Sequence, residues 1–226
     1  VTLNDEASII DFKNRQPPAY IAVEGPIGVG KTTLAKRLAE TFNHQALLEN
    51  IGDNPFLEGF YQNQKNAALA TQLFFLFQRA QQIQDQRQAD IFEPVQVSDF
   101  LIEKDRLFAQ LTLDHNEFQL YQKVYQQLTI EAPKPDLVIY LQAPVDVLTS
   151  RIQSRGITFE QNISSEYLTA INAAYTEFFL YYDDAPLLII NAEEIDLINR
   201  PSDYAHFVDY LLNIRNGRHY YNPTIF

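Results

Sequence analysis

The sequence predicts an α/β protein, a three-layer α/β/α domain on a five-stranded parallel sheet. Three observations carry this. Short apolar runs alternate with longer segments of helical periodicity along the 226 residues. The runs are apolar throughout rather than at every second position, as expected of strands covered on both faces. Hydrophobic residues make up 46% of the chain and charged residues 20%, enough to build a sizeable core and too apolar for intrinsic disorder. At this length one domain over residues 1–226 is the expectation.

The elements follow in order. Residues 19–24 (AYIAVE) read as a buried strand that enters a Gly-rich turn. Residues 31–42 then place Leu34, Leu38 and Phe42 at helical spacing, and 46–49 form a second short strand. A long helix over 66–88 puts Leu69, Leu73, Leu76, Ala80 and Ile83 on one stripe. Residues 95–99 (VQVSD) are a third strand, 101–110 a helix, and 114–130 a helix with Phe118, Tyr121, Val124, Tyr125 and Leu128 apolar. Residues 136–142 form a strand, 145–155 a helix, 166–182 an aromatic-rich helix, and 186–191 the fifth strand. Pro201 opens a final helix at a first-turn position. The tail Arg215 to Tyr221 (RNGRHYY) reads as mildly basic surface with no site.

Charge narrows the partners. The balance is 17 − 29 = −12, which repels a polyphosphate backbone, so nucleic-acid polymers and anionic membranes are excluded as expected partners. A small phosphate ligand is not excluded, because a narrow site answers to its own donors. The chain has no Cys, which removes disulfides and thiolate metal sites, and its four His show no ligand spacing. No apolar run approaches the ~18 residues of a membrane span, and residues 1–18 are polar and acidic without a signal-peptide core. A cytoplasmic protein is the expectation.

The turn at 25–32 (GPIGVGKT) matches the phosphate-binding P-loop. Gly25, Gly28 and Gly30 permit dihedrals and close approaches that other residues forbid. With Val29, Thr32 and Thr33 they present backbone N–H groups to an anion at a helix N-terminus. Lys31 supplies a point charge to the β/γ-phosphates, and the Thr32 hydroxyl is a ligand for Mg²⁺. The context agrees, with an apolar strand before and an amphipathic helix after. In a doubly wound sheet ligands bind beyond the carboxyl ends of the strands. Glu49 and Asp99 fall there. Two readings stand for these acids: one carboxylate for Mg²⁺ and one for proton abstraction, or caps for the following helices.

Taken together, these segments resemble the deoxynucleoside kinases. IAVEGPIGVGKTTLAKRL is similar to the family's P-loop with its leading Glu24. ENIGDNPFLEGFY, TQLFFLFQR, SDFLIEKDRLFA and RIQSRGITFEQNISSEYL resemble further family segments. The likeness runs from about residue 19 to residue 221. It implies ATP and Mg²⁺ as cosubstrate and cofactor and a deoxynucleoside as acceptor. It implies Glu49 as general base, Tyr61 and Glu160 on the deoxyribose 3′-hydroxyl, and Gln72, Arg79 and Asp105 as readers of the base. Asp99 is implied near Mg²⁺, and Arg151 and Arg155 over the phosphates in a helical lid of about residues 151–165. It also implies a homodimer through helices. Two positions depart from the pattern: Phe100 stands where many relatives carry Arg, and Ile157 where the lid commonly has a second Arg. Charge stabilisation then rests more on Lys31, Arg151, Arg155 and Mg²⁺.

The residues themselves support part of this. Gln72 and Arg79 are seven apart, within ~20° of two full helical turns, so both face one way. A carboxamide pairs bidentately with an adenine or cytosine edge, and an Arg fork suits a guanine or cytosine acceptor. Phe56, Phe60, Tyr61, Phe74 and Phe75 are available to line a slot for a flat base. The Arg79–Asp105 combination looks like the purine and cytidine branch, with deoxyadenosine or deoxyguanosine favoured and deoxycytidine admitted. Two rival readings are a nucleoside-monophosphate kinase, which needs an extra Arg near the acceptor, and a non-catalytic nucleotide-binding subunit, which Phe100 and Ile157 invite.

Overall fold

In a computed structural model, described here for residues 15–222 apart from 44, 63, 89–95, 130–131, 194, 196 and 198–199, the apolar run at the start becomes β1 (Tyr20–Glu24) and leads through the Gly-rich turn into α1 (Lys31–Phe42). Then come β2 (Gln45–Leu47), α2 (Leu57–Gln62), α3 (Gln64–Gln88), β3 (Gln96–Ser98), α4 (Asp105–Thr112) and α5 (His115–Thr129). The second half supplies β4 (Leu137–Gln142), α6 (Val145–Arg155), α7 (Ser165–Tyr181), β5 (Leu187–Asn191), α8 (Pro201–Leu211) and β6 (Arg218–Tyr221). Single 3₁₀ turns occupy Ile51–Asp53, Ile102–Lys104 and Thr158–Asn162.

All pairings are parallel, in the order β2-β3-β1-β4-β5-β6. The alternation of side chains along a strand explains why the runs carry no polar period. Ile21 and Val23 of β1 and Ile139 and Leu141 of β4 face α1 and α8, meeting Leu34, Leu38, Phe207 and Leu211. Ala22, Val138 and Tyr140 face the other way, onto Ile171, Tyr175 and Phe179 of α7. Both layers are closed over these two strands, so residues 21–24 of β1 and 137–141 of β4 are buried whichever way they point. Tyr140 stacks on Phe179 with centroids 4.2 Å apart. Burying side chains of this size stabilises by roughly 1.5–3 kcal/mol apiece.

The sheet has six strands among the described residues, where five were expected. The sixth comes from the tail read as surface. β6 is an edge strand with one neighbour, β5. Only Tyr221 of its four residues is buried, so it lacks the apolar run that marked the others. Residues 101–110 form a 3₁₀ turn followed by α4 rather than one helix. The short α2 carried too few turns to show a period. Val95 and Ile130, expected at element ends, lie outside the described residues, as does most of the polar leading segment. No helix among the described residues is long and apolar enough to cross a membrane.

Chain order places the site. β1 is central; the chain visits β2 and β3 on one side before crossing to β4 on the other. The register aligns Ala22 with Ser98, and Leu47 with Ser98. The carboxyl ends of β1, β2 and β3 therefore open side by side onto Glu24, Glu49 and Asp99.

Candidate active site

α1 is preceded by Gly30 at its N-cap, at φ +106°, with no side chain capping its first turn. Its N–H groups are thus left to a ligand, and the helix dipole favours an anion there. The loop is moulded closely around its neighbours. A Cβ on Gly28 (φ +84°) would lie 2.8 Å from Ile152 Cγ1 and 3.1 Å from the Leu148 carbonyl oxygen. Gly25 is pressed against the Leu141 carbonyl. Lys31 curls back, its Nζ donating to the carbonyls of Gly25 (2.8 Å) and Pro26 (3.2 Å). Burial draws its pKa below the usual lysine value, against the pull of Glu24. An ammonium held by weak neutral acceptors in a cradle that a methyl group would fill fits the phosphates of a nucleotide.

The acids at the strand ends are tied together rather than spent on helix caps. Thr32 Oγ1 donates to Asp99 Oδ2 at 2.5 Å, and the Glu49 backbone N–H donates to Asp99 Oδ1 at 2.7 Å. Burial raises the Asp99 carboxyl against these two bonds. A hydroxyl and a carboxylate meeting at the mouth of the P-loop form a hard oxygen pair that suits Mg²⁺. Glu49 Oε1 accepts from Arg79, whose other terminal nitrogen donates to Asp105. Burial works to raise the Glu49 carboxyl, but Arg79, Lys104 and Lys31 outweigh it and hold it below the usual value. Asp105 has Arg79 to itself less completely; burial pushes it up to about 6 despite the pair.

A cleft runs from the P-loop to α3, with about 1210 Å³ of atom-free space including its open mouth. Gln72 and Arg79 both face it, as their spacing requires, with Thr71 and Phe75 on the same helix. Gln72 Nε2 sits 3.4 Å from Thr112 Oγ1. Tyr61 lines the cleft and stacks on Phe159 at 6.3 Å; burial raises its hydroxyl pKa well above normal. Glu160 is 2% exposed and accepts from Arg155, whose Nε is 3.1 Å away. Arg151 reaches the Val29 carbonyl at 3.3 Å and that of Ala192 at 2.8 Å. Gly28, Gly30, Lys31, Thr32, Thr33, Glu49, Asp99, Arg151 and Arg155 join these along the wall.

Three expected residues stand back from the cleft. Gly25 and Val29 shape the loop, and Asp105 lies behind Arg79. Of the proposed aromatic slot, Phe60, Tyr61 and Phe75 line the cleft; Phe56 and Phe74 do not, and Phe56 is 43% exposed. Phe100 is fully buried with Leu47, Ile83 and Ile102 and does not line the wall. Sequence reasoning missed Glu24 as a hub and Lys104 altogether. Glu24 is fully buried and accepts from the backbone N–H groups of Gly25 (2.9 Å) and Leu101 (2.8 Å) and from the Tyr175 hydroxyl (2.9 Å). Its charge at the end of an apolar strand, one residue before the loop, was the available signal.

A P-loop at the head of a parallel sheet, with an acid and cationic side chains around one cleft, defines a phosphotransferase of the P-loop kinase fold. The chain belongs to the deoxynucleoside kinase family, whose model, "Deoxynucleoside kinase", matches residues 21–214. It is 35% identical over 193 residues to a deoxyguanosine kinase of Bacillus subtilis (strain 168), covering 82% of this chain and 92% of that one. It is 31% identical over 193 residues to a deoxyadenosine kinase of Lactobacillus acidophilus, covering 79% and 87%. The fold matches a solved deoxyadenosine kinase from M. mycoides with bound dATP at TM-score 0.72 and 24% identity, over 85% of this chain and 98% of that one. It is accordingly a deoxynucleoside kinase, a transferase.

Proposed function

We propose that this kinase transfers the γ-phosphoryl group of ATP to the 5′-hydroxyl of a purine deoxynucleoside, with Mg²⁺, and accepts deoxycytidine less well. The observation that carries the reading is Glu49, held ionised two strands away from the P-loop and facing the same cleft. The 5′-oxygen attacks the γ-phosphorus as its proton passes to Glu49. The bond from that phosphorus to the β,γ-bridging oxygen breaks, and its electron pair leaves on ADP. Among the described residues only Oε1 of Glu49 accepts a hydrogen bond, which leaves Oε2 for the hydroxyl.

The remaining roles are electrostatic and positional, as phosphoryl transfer requires. Lys31 exchanges its two carbonyl partners for phosphate oxygens. Arg151 and Arg155 cover the phosphates from the 151–165 lid. Thr32 and Asp99 hold Mg²⁺, which when bound neutralises charge on the β- and γ-oxygens. Tyr61 and Glu160 hold the 3′-hydroxyl. Gln72 and Arg79 read the base, with Asp105 fixing the Arg fork, while Phe75 supplies a face for the ring. The purine preference rests on this set and on the deoxyguanosine and deoxyadenosine kinases named above. We place the protein in the cytoplasm as a homodimer, with exposed Phe77 on α3 and Leu120 on α5 as contact residues; α3 and α5 pack together.

The test is ADP formation from ATP with each of the four deoxynucleosides and with their monophosphates, with and without Mg²⁺. Turnover on deoxyadenosine or deoxyguanosine that stops on Mg²⁺ removal is the expected result. Turnover on monophosphates alone would identify a nucleoside-monophosphate kinase, and ATP binding without any turnover a regulatory subunit.

A further inference from the structure

Lys104 is a cation the reaction scheme leaves unused, although it lies inside the cleft. Its side chain is 4% exposed, yet it lines the same wall as Lys31, Glu49 and Asp99. A 3₁₀ turn, closed by the Lys104 backbone N–H on the Leu101 carbonyl at 3.1 Å, delivers it there. Its Nζ is 3.1 Å from Glu24 Oε1 and 4.9 Å from the centroid of the Phe108 ring. A buried ammonium must be compensated, and Glu24 and the ring face do this.

Compensation of Glu24 does not account for the placement. That carboxylate already takes three neutral hydrogen bonds, from Gly25, Leu101 and Tyr175. An ammonium has three donors. Among the described residues the pair with Glu24 is the one polar contact of Nζ. The charge also reaches both ends of the reaction centre, since it opposes protonation of Lys31 and favours ionisation of Glu49. Meanwhile position 100, next to Asp99, is spent on an apolar cluster. On that segment the cationic side chain that lines the cleft is Lys104.

Resting on the proposed ATP-dependent reaction, we propose that Lys104 is a further catalytic residue. Its ammonium, oriented by Glu24 and Phe108, contacts the nonbridging oxygens of the γ-phosphoryl group as it passes from ADP to the 5′-oxygen.

The absence of cysteine makes a direct test possible, because Lys104→Cys carries a single thiol. The variant is measured as it stands, after aminoethylation, which rebuilds a lysine-length ammonium, and after carbamidomethylation, which does not. We expect kcat to fall at least ~tenfold with the nucleoside KM within about threefold of the parent. The acid limb of the kcat profile should move to higher pH, since Lys104 favours ionisation of Glu49, and turnover should stay low above it. Aminoethylation, but not carbamidomethylation, should restore turnover. Because the variant strands the Glu24 carboxylate, Glu24→Gln/Lys104→Cys is measured beside it, with unfolding midpoints for both. The same loss in the folded double variant supports the role. Parental turnover in the double variant, or in folded Lys104→Cys, reduces Lys104 to a counter-ion and overturns it. So does equal rescue by both reagents. An acid limb that moves to higher pH, with full turnover above it, would make Lys104 a positioning group for Glu49 instead. A wild-type chain that forms no ADP with any deoxynucleoside overturns the proposed reaction and this role together.

Discussion

Glu49 works against its surroundings and is kept charged by them. Burial alone would protonate it; Arg79, Lys104 and Lys31 hold it below the usual glutamate pKa. Glu49→Gln keeps an acceptor for Arg79 but cannot take a proton. Turnover should fall on the order of 10²–10⁴-fold, while the nucleoside Kd by calorimetry changes little; unaltered turnover would exclude the proposed base. The base must be ionised, so activity is lost as pH falls through a pKa lying below the usual value. Arg79→Gln removes the strongest opposing charge, and the acid limb should move to higher pH in a kcat profile. Asp105 has the opposite sign. Its folded pKa of about 6 exceeds the ordinary 3.8, so between these values the folded chain holds a proton that the unfolded chain has released. Its contribution to stability is full below that window and lost as pH rises through it. Asp105→Asn lacks this slope. The unfolding midpoint of the parent relative to the variant should therefore fall as pH is raised from about 4 to about 7.

At the scale of elements, legibility follows from what each segment buries. α1 and α6 match their expected bounds to the residue. Each joins a strand by a turn with its own chemistry, and one face of each is apolar. β1, β4 and β5 were legible because both their faces are covered. β6 and α2 were not, one being a half-polar edge and the other six residues long. In the site, the loop, Glu49 and Asp99 were picked out by residue type and position, and Gln72 and Arg79 by the family resemblance; the structure brings them to one cleft. Lys104 was missed because a charge in a polar-looking segment reads as solvated, and only the tertiary structure buries it; Glu24, at the end of an apolar strand, was noted only as the loop's leading residue. The loop gives the sharpest test at this scale. Gly28→Ala combines a positive φ with a contact to Ile152 and a backbone oxygen of α6. We expect a loss of about 1–3 kcal/mol in stability by denaturant unfolding. ATP affinity should also fall, because the shift needed to relieve the contact moves the N–H groups that form the cradle. A variant that binds ATP as the parent does would show that the loop tolerates a different path.

For the whole molecule, a net charge of −12 opposes the assembly proposed here. Two copies repel one another, and this repulsion decays over about 10 Å at 0.1 M salt. An interface formed through α3 and α5 must therefore rest on apolar burial, for which half-exposed Phe77 and Leu120 are the available side chains. Repulsion between the copies is screened by salt, whereas apolar burial is not weakened by it. Dimerisation should then tighten as ionic strength rises, opposite to an interface built on complementary charge. Sedimentation of the parent at low and moderate salt should show a species of twice the chain mass that persists to lower concentration at the higher salt. Phe77→Glu with Leu120→Glu adds two charges to each copy exactly where burial is required and should leave the chain monomeric at both. The cleft lies along α3's inward face, lined by Gln72 and Arg79, whereas Phe77 is exposed, so the monomeric variant should still form ADP. A variant that dimerises like the parent would place the contact on another surface.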